Sequence, residues 1–115
     1  MTTPAIDAAR FAELQATAGA DFVAELVDTF FEEAPTMLAE LRSARAADVA
    51  DRFRRAAHSL KSNSYTFGAL PLGALARELE LTGMSADAAR DAARLDSLEA
   101  EYGRAAAVLK ELRHG

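Results

Sequence analysis

Apolar positions along the chain recur at three- and four-residue steps, the period of helices with one buried face, and nowhere alternate as a half-buried strand would. The longest stripe, Val23, Leu26, Val27, Phe30, Ala34, Met37 and Leu41, predicts a helix from Asp21 to about Arg45. Pro35 falls inside it, where a missing amide and a crowding ring are expected to kink or split the helix. The stripe keeps its phase across the proline, which favours a kink. Ahead of this helix, Ile6, Asp7 and Phe11 stand in the order of a hydrophobic staple around an N-cap, predicting a short helix that ends before Gly19.

Downstream, Asp48 is an adequate N-cap for a helix whose buried side carries Val49, Phe53, Ala56, Ala57, Leu60, Ser64 and Phe67, with Gly68 ending it. Pro71 suits the first turn of the next helix, which bears Leu72, Leu75, Ala76 and Leu79 and stops near Gly83. A last helix is predicted from about Asp87 to Arg113, with Leu95, Leu98, Tyr102, Ala106, Leu109 and Leu112 in register. Four long amphipathic helices on short connections must bury their stripes against one another. The expected fold is all-α: an antiparallel up-down four-helix bundle with a short additional N-terminal helix, formed by residues 1–115 as one domain. Architecture alone does not specify function.

Composition narrows the function. The 115 residues are half apolar, enough for one modest core. A net charge of -5 argues against nucleic acid as a partner, because displacing counterions from phosphates takes a surplus of lysine and arginine. With no cysteine and only two histidines, disulfides and thiolate metal sites are excluded and a structural zinc is not expected. Neither a signal peptide nor a run of about 18 apolar residues is present, so a cytoplasmic protein with no membrane segment is expected.

Most of the chemistry that remains gathers around His58. At about 100° per residue it lies roughly 160° from the centre of its helix's apolar stripe, so it is expected to face water. Asp51, Arg54, Arg55, Lys61, Ser62 and Tyr65 fall on the same outward face, surrounding a histidine with cations in an acidic chain. An exposed imidazole of ordinary pKa, about 6.5, is largely neutral at pH 7 and offers a lone pair for attack. The cations are expected to disfavour imidazolium and to stabilise a phosphoryl group as it arrives.

The segment AAHSLKSNSYTFGALPLGALARELE, from Ala56 to Glu80, resembles the histidine-containing phosphotransfer (HPt) family of two-component phosphorelays. The family pattern is roughly Ala-His-x-Leu-Lys-Gly/Ser, five variable residues, Gly-Ala-x-x-Leu and then Leu-Glu. His58 falls on the phosphorylated histidine, Lys61 on the following lysine and Ser62 on the small residue that is usually glycine. Gly68 and Ala69 match the Gly-Ala pair, and Leu72, Leu75, Leu79 and Glu80 match the next helix. The arrangement around Phe30, Phe31 and Pro35 also looks like the helix that precedes the motif.

The resemblance implies that His58 exchanges a phosphoryl group with aspartates of response-regulator receiver domains and of a hybrid histidine kinase. Lys61 would stabilise the phosphoryl, Ser62 would leave room for the partner, and Arg54, Arg55 and Tyr65 would contribute to docking. The protein would be a monomer with no kinase activity and no cofactor of its own, the Mg²⁺ being supplied by the receiver. A non-catalytic HPt-like module that binds and inhibits receivers is the alternative. The phosphotransfer region of a histidine kinase fits less well, because Ser59 rather than an acidic residue follows His58. A phospho-aspartate phosphatase would need a water-positioning group, for which Asn63 faces the wrong way. His114 reads as a solvated tail, and Glu32, Glu33, Glu78 and Glu80 as solvated faces. Phe22, Phe30, Phe31, Phe53 and Phe67 stand at core spacing.

Overall fold

A computed structural model describes residues 3–113. His114 lies outside them. Among the described residues there are five helices and no strand: α1 (Ala8–Ala18), α2 (Ala20–Ala47), α3 (Ala50–Thr66), α4 (Leu70–Thr82) and α5 (Ala88–Leu112). Asp7 caps α1 as its spacing suggested, accepting from the Arg10 amide at 3.2 Å. Gly19 separates α1 from α2. The stripe of α2 is buried at Val23, Val27, Phe30, Ala34, Leu38, Leu41 and Ala44. The helix is continuous through Pro35, which lies on its solvent side, where water can reach the carbonyl that lacks a donor.

Three expectations fail locally, the first being Val49, which its spacing placed on the buried side of α3 and which is 37% exposed. Asp48 does not cap α3: it adopts the left-handed conformation, φ 58°, and ends α2, leaving Val49 at the start of α3 with no side-chain cap. Aspartate tolerates that conformation better than most residues, and only two residues separate the helices. Phe22 is 52% exposed rather than in the core. It precedes Val23 by one position, about 100° around α2, and the buried stripe runs through Val23.

The long helices pack in a ring, α2 beside α3, α3 beside α4, α4 beside α5 and α5 beside α2, with α1 laid against α2. Apolar side chains from every helix meet in one core, in which Phe30 links the α3–α4 corner to α5. Its ring lies 5.3 Å from Phe67 and 5.8 Å from Tyr102, centroid to centroid. Ion pairs tie the outside: Arg42 to Asp96 and Glu99 across α2 and α5, and Arg52 to Glu40 across α3 and α2. At the turn into α5, fully buried Asp91 accepts from the Ser85 amide and hydroxyl, Arg45 and Arg94.

Two glycines set the seam on which His58 stands. Gly68, at φ 77°, turns the chain between α3 and α4, and its carbonyl accepts from the Asp7 amide at 2.8 Å. A Cβ there would meet the Asp7 carbonyl oxygen at 3.0 Å, so glycine allows the start of α1 to close over the corner. Gly73, buried in α4, lets the ring of Tyr65 from α3 lie against its backbone. With Ala56 and Ala57 buried on α3 and Ala76 on α4, small residues line much of this junction.

Candidate functional site

His58 stands near the middle of α3, facing outward as its phase predicted, with its side chain 58% exposed. Phe53, Ala56, Ala57, Leu60 and Ser64 occupy the buried side of the helix, so the imidazole is carried on a face anchored by core packing. The opposite side of the site comes from α4. Glu80 reaches across, its Oε2 at 2.5 Å from His58 Nδ1, while its Oε1 accepts from Lys61 Nζ at 2.6 Å.

This bridge was not legible as such in the sequence, where Glu80 reads as a solvated carboxylate. Its side chain is only 16% exposed, and one carboxylate engages both the histidine and the lysine of the motif. The available signal was a pair of matched spacings. His58 and Tyr65 are two turns apart on α3, Gly73 and Glu80 two turns apart on α4, and the antiparallel seam joins Tyr65 to Gly73 and His58 to Glu80.

The hydrogen bond from Lys61 holds the Glu80 carboxyl below the usual carboxylate range, against the opposing effect of burial, and the bond with His58 adds to it. Glu80 is therefore ionised at neutral pH and can only accept. The Nδ1 contact accordingly assigns the proton to Nδ1, leaving the lone pair of a neutral imidazole on Nε2. The same orientation logic operates where carboxylates fix the tautomer of metal-binding histidines.

The expected ring of cations needs correction. Arg54 and Arg55 both bond to Asp51, at 2.7 and 2.8 Å, and Lys61 is held by Glu80, so two carboxylates meet the three cations. Their arrangement follows from helical spacing, Asp51 lying one turn before both arginines. Three cations against two carboxylates leave one net positive charge around His58.

Ser62, one turn after His58, is exposed, and its hydroxyl has no hydrogen-bond partner among the described residues. Asn63, Ser64 and Thr66 instead bond back to carbonyls of α3. Tyr65 lies against Gly73 yet remains 37% exposed, combining a packing role with an accessible edge.

In front of the imidazole is a shallow cavity of about 490 Å³, lined by Arg54, Arg55, His58, Ser59 and Glu80. Beside it, a groove of about 330 Å³ between α2 and α3 shares Arg55 and Ser59 and has Met37 and Ala56 in its wall. Among the described residues, no group of three or more histidine, cysteine, aspartate or glutamate side chains is placed to hold a metal ion, and no helix is long and apolar enough to cross a membrane. The site can present an oriented nitrogen nucleophile beside cationic side chains.

Residues 25–113 match the family model described as Hpt domain. No curated protein sequence matches the chain. Among solved structures, it is similar to the crystal structure of histidine-containing phosphotransfer protein B (HptB) from Pseudomonas aeruginosa PAO1. The identity is 29% and the TM-score 0.87, over 98% of this chain and 97% of that one.

Proposed function

The chain belongs to the Hpt domain family, and from that premise we propose that it is a phosphorelay intermediate that receives a phosphoryl group on His58 from a receiver-domain aspartate and returns it to another. The observation that carries this reading is the Glu80 contact with Nδ1, which leaves Nε2 as the nucleophile on an exposed, cavity-facing imidazole.

In the forward step the Nε2 lone pair attacks phosphorus of the aspartyl phosphate, and the P–O bond to the carboxyl group breaks, its electron pair returning to aspartate as carboxylate. The product keeps its proton on Nδ1, donated to Glu80, and carries the phosphoryl on Nε2. A phosphoryl-imidazolium of this kind is a good donor, because the return step expels a neutral imidazole. Glu80 thus serves both directions by holding one tautomer. Lys61, positioned by the other Glu80 oxygen, supplies positive charge beside the transferring group. Ser62 keeps the following turn small enough for a receiver's acidic pocket to approach.

In this reading the ring of α2–α5 is an antiparallel up-down four-helix bundle with α1 as the additional helix, residues 1–115 form one domain, and the protein has no kinase activity. It works as a monomer in the cytoplasm. Its partners are receiver domains of response regulators and of a hybrid histidine kinase, and these supply the Mg²⁺. Arg54, Arg55 and the exposed edge of Tyr65 contact the receiver around His58.

The test is to mix the protein with a phosphorylated receiver domain and Mg²⁺ and follow intact mass, with His58→Gln as control. An acid-labile, alkali-stable phosphoryl adduct on the wild type alone is the expected result. A folded wild type that binds phosphorylated receivers and gains no phosphoryl from any of a broad panel overturns the reading in favour of a docking module.

A further inference from the structure

We propose that Arg54 and Arg55 act as an exchangeable clamp on the phosphoryl group of His58, with Asp51 as the built-in competitor that holds them when the histidine is bare. The inference rests on the phosphotransfer reading and adds to it a control over how firmly the phosphoryl is retained.

The geometry points to these arginines in three ways. Side chains on a helix lean toward its N-terminus, so the imidazole of His58 lies over the turn that carries Arg54 and Arg55. The cavity in front of it agrees, since its lining includes both arginines but neither Lys61 nor Ser62. Lys61, the other nearby cation, is tied toward α4 by its 2.6 Å bond to Glu80, whose second oxygen holds His58. Lys61 thus stands on the α4 side of the imidazole, and the cations that line the cavity itself are Arg54 and Arg55.

Both are held in a way that permits release. They share the single carboxylate of Asp51, and the side chains of Arg54, Arg55 and Asp51 are 60%, 77% and 50% exposed. Exposed ion pairs of this kind are weak enough to exchange. A phosphoryl group offers a larger negative charge than a carboxylate and three acceptor oxygens, and guanidinium groups bind such oxygens in pairs. Phosphorylation of His58 then draws the arginines from Asp51, and loss of the phosphoryl returns them. No covalent bond other than those of the transfer itself is made or broken.

The measurement is the equilibrium ratio of phosphoryl on His58 to phosphoryl on a receiver aspartate, reached from both directions. This ratio depends on the free species, so a docking defect slows its approach without changing its value. Arg54→Gln/Arg55→Gln is expected to move it toward the receiver by about tenfold. Asp51→Asn is expected to move it the opposite way, by roughly threefold, because the competitor is gone. Arg54→Lys/Arg55→Lys should fall between wild type and the glutamine pair, and replaces that pair should it fail to fold. A second readout needs no receiver: after labelling with phosphoramidate, which transfers its phosphoryl to Nε2 with loss of ammonia, the ³¹P resonance is titrated. The phosphoryl group's second ionisation should occur at higher pH in the glutamine pair than in wild type. An unchanged ratio and titration in the glutamine pair, or Asp51→Asn shifting phosphoryl toward the receiver, overturns the clamp while leaving phosphotransfer standing. A wild type that accepts no phosphoryl from either donor overturns both.

Discussion

Gly73→Ala tests the packing that brings α4, and with it Glu80, to the histidine. Helix propensity alone favours the change, since glycine in a helix interior costs about 1 kcal/mol relative to alanine. The structure opposes it. An added Cβ would lie 2.6, 2.8 and 2.9 Å from Cε1, Cδ1 and Cζ of Tyr65, against ordinary carbon contacts of about 3.5–4.0 Å. The ring must move by close to an ångström or the helices must part, and overpacking of that order costs about 1–3 kcal/mol. Because Tyr65 is 37% exposed, its ring can partly escape, so the net effect should lie between no change and about 2 kcal/mol of destabilisation.

The decisive comparison is a double-mutant cycle with Tyr65→Ala, read by urea unfolding at constant m. Without the ring, Gly73→Ala should stabilise by about 1 kcal/mol. The coupling between the two sites should therefore be about 1–3 kcal/mol. Equal stabilisation by about 1 kcal/mol in both backgrounds would refute the argument that Gly73 is required to seat Tyr65. Since Glu80 lies two turns from Gly73 on the side facing α3, phosphotransfer should slow in Gly73→Ala.

Glu80→Gln should leave the fold intact but slow phosphotransfer on the order of 10²-fold, because the amide no longer enforces the Nδ1 proton or fixes Lys61; stopped-flow transfer from a phosphorylated receiver measures it. Lys61→Ala should slow transfer by about 10- to 100-fold while phosphoramidate still labels His58, and an unchanged transfer rate removes the lysine from the mechanism. Asp91→Ala, which strands Arg45, Arg94 and the Ser85 amide at a fully buried site, should cost about 3 kcal/mol in urea unfolding. Burial raises the Asp91 carboxyl, but hydrogen bonds from Ser85, Arg45 and Arg94 outweigh it and leave it below its ordinary value, as Arg42 does for Glu99 and Lys61 for Glu80. Carboxyls depressed on folding contribute stability that is complete above their unfolded values and lost as pH falls through the folded ones, so thermal stability should hold from neutrality to about pH 5 and then decline. Asp91→Asn should flatten that decline, and an unaltered acid profile would count against the buried network.

The sequence by itself determined the helices, because their apolar stripes follow a local period that requires no knowledge of partners. It also determined that His58 faces outward, which follows from phase along α3 relative to Phe53, Ala57 and Leu60. The motif from Ala56 to Glu80 carried the family. Tertiary structure decided which carboxylate serves the histidine. Glu80 lies 22 positions from His58, and their meeting depends on how closely α3 and α4 approach, a distance set by Gly73 against Tyr65. It decided also that Asp48 ends one helix instead of starting the next, and that Asp51 restrains Arg54 and Arg55 beside the imidazole. Periodicity fixes which way a side chain faces on its own helix; which partner it meets depends on the separation and register of packed helices and on how competing charges share their contacts.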